Sequence, residues 1–271
     1  MAEKPSLDAP KTRVIAVSNQ KGGEGKTTTA VNLAASLAAA EQRVLLIDLD
    51  PQGNASSSVG YPRGDAQQGS YEVLMGSASI DDVMRRCELS SLRVVPATPD
   101  LAGAEVELVS VEHRESALAR ALQPLLARRE FDFVILDCPP SLGLLTVNAL
   151  VASDSVLIPM QAKYFSLEGL GALKGTIDSV RAALNERLSI EGIVFCMFDP
   201  RTNLAQQVVA EVREHFGDLV YDTVIPINVR LSESPSFGKP ALLYDIESKG
   251  AQAYLQLARE VLSRIEARRA A

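Results

Sequence analysis

The clearest chemistry in the sequence lies in eight consecutive residues: Lys21, Gly22, Gly23, Glu24, Gly25, Lys26, Thr27 and Thr28. Glycines at 22, 23 and 25 let a backbone take left-handed torsions and approach a ligand closely. The loop amides, with the first turn of a following helix, then carry partial positive charge suited to an anion. A lysine and a threonine directly after such a loop meet the terminal phosphates of a nucleotide and the Mg²⁺ that bridges them. Lys26 is therefore expected on the phosphates of ATP and Thr27 on the metal. The pattern G-x-x-x-x-G-K-[ST] fails at its first glycine, where Gln20 stands. K-G-G-x-G-K-T fits instead and adds a second lysine, Lys21, at the loop entrance. The stretch reads as a deviant, two-lysine P-loop with residues 21–28 on the nucleotide.

Such a site needs carboxylates at the ends of neighbouring parallel strands. Asp48 and Asp50 end an apolar run in Leu45-Leu46-Ile47-Asp48-Leu49-Asp50, and Asp137 ends another in Val134-Ile135-Leu136-Asp137. An apolar run closed by Asp is weak evidence alone, because many such residues only cap helices. Beside a phosphate loop it becomes specific.

The elements that must position these groups follow from hydrophobic patterning. Short, nearly continuous apolar runs at 13–18, 43–48, 92–96, 131–137, 155–159, 192–198 and 223–226 predict strands covered on both faces, as in parallel sheets. Helical patterns at 27–40, 112–127, 142–151, 168–185, 204–216 and 249–269 lie between or after them. Alternating strands and helices predict an α/β fold, a doubly wound, mostly parallel sheet with helices on both faces. The phosphate loop follows the first strand and opens the first helix, as a P-loop NTPase requires. Residues 54–68 are rich in Ser, Gly and Gln and read as a surface loop. Residues 1–12 read as a disordered tail, and 13–271 as a single domain.

Of the 271 residues, 46% are hydrophobic, enough for a sizeable core. The net charge of -7 argues against a surface that is basic throughout, but allows a local basic patch. Cys87, Cys138 and Cys196 are too far apart in sequence to suggest a zinc site or a disulfide framework. No apolar run approaches the roughly 20 residues of a membrane span.

With the deviant loop, the segments LLIDLDPQGNASS, VVPATPDLAGAEVEL, FVILDCPPSLGLLTVNAL, FDPRTNLAQQVVAEVREHF and NVRLSESPSFGKPALLYDIESKGAQAYLQLA resemble the ParA family of partition ATPases, of the small chromosomal type called Soj. The resemblance runs from about residue 13 to 258. It implies a cytoplasmic, nucleoid-associated ATPase that binds ATP and Mg²⁺, forms an ATP-dependent homodimer, and then binds DNA without sequence preference. A ParB-type partner stimulates its slow hydrolysis. By position, the resemblance implies that Lys21 reaches the phosphates of the other subunit. It implies that Lys26 serves catalysis with Lys21, that Asp50 orients the attacking water, and that Asp48 and Asp137 hold the Mg²⁺ water shell with Thr27. It also puts Pro226 and Asn228 at the adenine pocket and Arg201 and Arg230 on DNA phosphates, with Arg213 and Lys249 as weaker candidates.

Two residues depart from the pattern. Glu24 stands where relatives carry a small or apolar residue; a carboxylate there should weaken nucleotide binding unless it points away or pairs with Lys21 or another cation. Ile227 stands where an arginine is common. The runner-up is a MinD-like membrane ATPase, which would use the apolar positions Tyr254, Leu257, Val261, Leu262 and Ile265 of the last helix as a surface anchor. A metabolic relative with an iron–sulfur cluster would need a cysteine pair, for which Cys138 is the candidate.

Overall fold

The computed structural model describes residues 11–270. In chain order the first elements are β1 (Arg13–Val17), α1 (Lys26–Ala39), β2 (Val44–Asp48), α2 (Asn54–Ser57), α3 (Ser70–Met75) and α4 (Ile80–Val83). Next come β3 (Arg85–Arg86), β4 (Leu92–Val95), α5 (Leu101–Glu107), α6 (Ala117–Arg128), β5 (Phe133–Asp137) and α7 (Leu144–Ala152). The chain continues with β6 (Ser155–Gln161), α8 (Tyr164–Ala183), β7 (Ser189–Cys196), α9 (Asn203–Phe216), α10 (Val229–Glu233), α11 (Ala241–Tyr244) and α12 (Lys249–Ala270).

The strands form one seven-stranded sheet in the order β3-β4-β2-β5-β1-β6-β7, parallel except for the short β3. Its central strands are buried along their whole length: every residue of β2 and β5 is buried, so both faces are covered. One apolar layer packs α1 and α12 against Ile15, Val17, Leu46 and Ile135. The other packs α6, α7 and α8 against Val14, Leu45, Val134 and Ile158. Alternate residues of each strand thus feed opposite cores, as the pleat requires. The expected doubly wound architecture is present.

Register matters for the site. Val17 pairs with Asp137, and Asp48 pairs with the same Asp137, so β1, β2 and β5 end level with one another. Because β5 and β6 flank β1, connections leave its C-terminal end in opposite directions and open a crevice there.

Several expected elements move. The run 223–226 is not a strand: it lies beside β7 through two isolated bridges, Ile193 to Val220 and Phe198 to Pro226. Pro226 has no N–H to give a ladder, which keeps the segment irregular. β7 stops at Cys196 because Met197 takes φ 50°, outside the strand region. α8 starts a turn before the expected Glu168, at Tyr164, and α6 starts later than expected, after a 3₁₀ turn over Arg114–Ser116. The stretch read as a loop at 54–68 holds the short α2. Most of the tail expected at 1–12 lies outside the described residues. Thr12 is buried, with its hydroxyl donating to the Phe131 carbonyl at 2.6 Å, and Lys11 pairs with Asp154 at 3.0 Å.

Candidate nucleotide site

The loop between β1 and α1 has the backbone its glycines allow. Gly23 has φ 76° and Gly25, the residue before α1, has φ 91°. A Cβ on Gly25 would sit 3.2 Å from the Cys196 Cβ, so this position is held both by torsion and by the floor of the site. No side chain caps the N-terminus of α1, and no acidic residue sits in its first turn. Its first amides and the dipole are therefore left for an anion. Lys26 is buried, and its ammonium donates to the Lys21 carbonyl at 3.0 Å. Burial pulls its pKa down; Asp137 leads the charges that oppose the fall. Deeper along α1, Thr29 makes a 3.1 Å hydroxyl bond to Tyr254 of α12, fixing the helix behind the loop.

The three aspartates differ in what their oxygens already hold. Asp48 is fully committed: one oxygen accepts from the Ser56 N–H at 2.8 Å and its hydroxyl at 2.6 Å, the other from the Asp50 N–H at 3.1 Å. Burial pushes its pKa up to about 6, against those bonds. It braces β2 to α2 and sits beside Asp137, the other carboxylate expected to hold the Mg²⁺ water shell. Asp137 is equally buried, but neither oxygen has a hydrogen bond of ordinary geometry. Burial and then the Asp48 charge push its pKa well up, while Thr27 and Lys26 pull it down. A desolvated carboxylate left open beside a threonine hydroxyl suits a hard, oxygen-seeking cation such as Mg²⁺. Among the described residues no group of three or more His, Cys, Asp or Glu could hold a metal ion. Asp50 accepts from the Gln52 N–H at 2.9 Å with one oxygen only, and lines the loop mouth with the other residues there.

Two cavities meet at this loop. The smaller, about 370 Å³, is lined by Gly22, Gly23, Lys26, Thr27, Asp50 and Pro140. The larger, about 840 Å³, is walled by Cys196, Ile225, Pro226, Asn228, Leu231 and Tyr254 among others. Gly25, Thr28 and Met197 border both, so they are two ends of one site: a polar end with the loop, and an apolar end of a size for a base and sugar. Pro226 and Asn228, the candidates for the adenine pocket, both line this wall. Ile227, the missing arginine, is exposed at the same rim.

Glu24 points away from the phosphate cradle. Its carboxylate is buried and accepts from the Gln161 N–H and the Ser166 hydroxyl, and the Lys21 ammonium lies 3.4 Å from it. The Gln161 side chain closes the same corner by donating to the Gly23 carbonyl at 2.7 Å. Asn19 bridges the Lys21 N–H and the Pro159 carbonyl. The sequence reading missed Asn19, Gln161 and Ser166, because nothing in their spacing signals a contact with the loop.

The two candidate DNA arginines lie beyond the cleft and are not free. Arg201 grips Asp199 with two bonds, at 2.9 and 2.7 Å, and this holds the Asp199 carboxyl down at about 2. Arg230 pairs with Glu233 at 2.8 Å and Asp245 at 3.1 Å and lies over the Tyr244 ring. Asp199 and Val229 line the large cavity, so the two arginines stand beside its rim. Of the weaker candidates, Arg213 pairs with Asp222 and Lys249 is exposed at the start of α12.

The alternatives lose their carriers. Tyr254, Leu257, Val261 and Ile265 are buried in the layer under α1, so they are spent on the core and cannot face a bilayer. Among the described residues no helix is long and apolar enough to cross a membrane. Cys138 is buried in the opposite layer, with its thiol pKa pushed up by burial.

Comparison with known proteins gives one direction. A family model described as an AAA domain matches residues 12–190. The chromosome partitioning protein ParA of Myxococcus xanthus is 58% identical over 93% of this chain and 88% of its own. The sporulation initiation inhibitor protein Soj of Bacillus subtilis is 54% identical over 92% of this chain and 98% of its own. Among solved structures, a Mycobacterium smegmatis protein titled cobyrinic acid a,c-diamide synthase, with bound ATP analog and magnesium, superposes with TM-score 0.81 at 37% identity, covering 94% of this chain and 96% of that one.

Proposed function

The chain belongs to the ParA/Soj family of chromosome-partitioning ATPases, and from that premise we propose that it is a nucleotide-switched DNA partition protein. MgATP binds with its base in the apolar cleft and its phosphates on the loop. Thr27, with Asp137 and Asp48 through its water shell, would hold a Mg²⁺, which would supply charge neutralisation for the phosphates. Lys26 leaves the Lys21 carbonyl for the phosphates. Asp50, with one oxygen uncommitted, orients the attacking water. Lys21 completes the charge stabilisation across a homodimer, as an arginine finger in trans does elsewhere. Hydrolysis is then slow in the monomer and tied to assembly. The dimer holds DNA through phosphate contacts that include Arg201 and Arg230, and a ParB-type partner stimulates turnover and release.

The observation that carries the reading is Asp137: a buried carboxylate whose oxygens make no hydrogen bond of ordinary geometry, level with the end of β1 and beside Lys26 and Thr27. The test is a gel shift of a DNA duplex with ATP, ADP or no nucleotide at two salt concentrations. A shift with ATP only, weakened steeply by salt, is expected. Binding that ignores the nucleotide, or vesicle binding in place of DNA binding, would overturn it.

A further inference from the structure

Glu24 takes no part in the reaction proposed above, yet its carboxylate has three partners. Its side chain is fully shielded from solvent. It does not face the nucleotide. It reaches to the junction of β6 and α8, where the Gln161 N–H and the Ser166 hydroxyl anchor it. Its third partner is the Lys21 ammonium, 3.4 Å away on the half-exposed side.

We propose that Glu24 is a positioning residue, a tether in cis that keeps Lys21 on its own subunit until an assembled site competes for it. The inference rests on the reading that Lys21 works across a dimer. To do so, Lys21 must leave a carboxylate already fixed in place. Two bonds from Gln161 and Ser166 remain to Glu24 afterwards, so its charge stays partly satisfied and the exchange is reversible. An apolar residue at this position would leave Lys21 unrestrained. The tether therefore raises the protein concentration at which ATP drives assembly. It also links the loop to the start of α8, so whatever moves Ser166 alters the hold on Lys21.

The partly exposed pair sets the scale. An ion pair with one exposed member shifts an equilibrium about two- to threefold, and a dimer breaks two of them, giving about four- to ninefold together. Glu24→Gln keeps an oxygen for Gln161 and Ser166 but removes the charge that holds Lys21. Ser166→Ala loosens the anchor without touching the loop, and covers the case in which Glu24→Gln fails to fold.

Two measurements decide. The rate of amine labelling of Lys21 in the nucleotide-free monomer, followed by mass spectrometry, should rise several-fold in Glu24→Gln and less in Ser166→Ala. The concentration for half-assembly with ATP, followed by light scattering, should fall about four- to ninefold in Glu24→Gln, with ADP affinity of the monomer changed less than about twofold. An unchanged labelling rate would overturn the tether. So would ADP affinity rising as much as assembly, which would mark a general charge effect on phosphates. Faster labelling with no ATP-driven assembly in any chain, wild type included, would leave the contact standing but overturn both its role and the dimer reading.

Discussion

Replacing the loop glycines by alanine one at a time should produce a graded loss, because the three positions differ in known ways. Gly22 has no left-handed torsion and nothing within 4 Å of a Cβ. Alanine there costs little, and by restricting the unfolded chain should return about a few tenths of a kcal/mol. Gly23 has φ 76° but open space around a Cβ. It should show torsional strain alone, about 1 kcal/mol. Gly25 combines φ 91° with a Cβ 3.2 Å from the Cys196 Cβ and 3.4 Å from its Sγ. Its strain is larger because 91° lies past the left-handed well, and Cys196 is buried at the end of β7 and cannot swing aside. Strain and overpacking together come to about 2–3 kcal/mol. For a domain of this size that is a fall of about 5–10 °C in midpoint. Thermal unfolding followed by circular dichroism, without nucleotide, measures all three variants. A Gly25→Ala midpoint within 1 °C of wild type, or a Gly22→Ala midpoint falling as far as that of Gly25→Ala, would refute the reasoning.

Other outcomes follow from the site. Asp137→Asn should remove the Mg²⁺-dependent part of ATP affinity while leaving Mg²⁺-free binding nearly intact, as read by calorimetry with and without a chelator. Asp199→Asn should release Arg201 from its two-bond pair and strengthen ATP-dependent DNA binding about two- to threefold, whereas Arg201→Ala should weaken it and reduce the salt slope by about one. Asp48 has its folded-state pKa raised to about 6 from an ordinary value near 3.8. Its protonation favours the fold: the contribution is complete below about pH 4 and is lost as pH rises through about 6. Urea midpoints across pH 4–7 should therefore fall more steeply with rising pH in wild type than in Asp48→Asn, and the two slopes should agree above pH 7.

The sheet and the phosphate loop were legible because their signals are local. Val44–Asp48 and Phe133–Asp137 are unbroken apolar runs, which only a strand covered on both faces explains at that length. The short helices α2 to α5 were not legible, since four to seven residues make too few turns for a period to register. The division of labour between Asp48 and Asp137 was hidden as well. Both end apolar runs, and only the fold brings Ser56 under one and leaves the other bare. The orientation of Glu24 depends on residues 137 and 142 positions away, so no reading of the loop alone could choose between a carboxylate that repels phosphate and one that restrains Lys21.

The segment that follows α9 attaches to β7 in a way that sets its kinetics. Tyr221 and Ile225 donate to the Ile193 and Phe195 carbonyls at 2.8 Å each, and Phe198 returns one bond to the Ile225 carbonyl at 3.0 Å. These few amides hang a piece of backbone on the sheet edge without a continuous ladder. That piece is also the wall carrying Pro226 and Asn228. Such a strap opens by local excursions well below the free energy of global unfolding. Its amides should exchange with deuterium far sooner than those of β5, and a base lodged beneath it should slow them. Occupancy of the apolar end of the site should thus be legible in the protection of these amides.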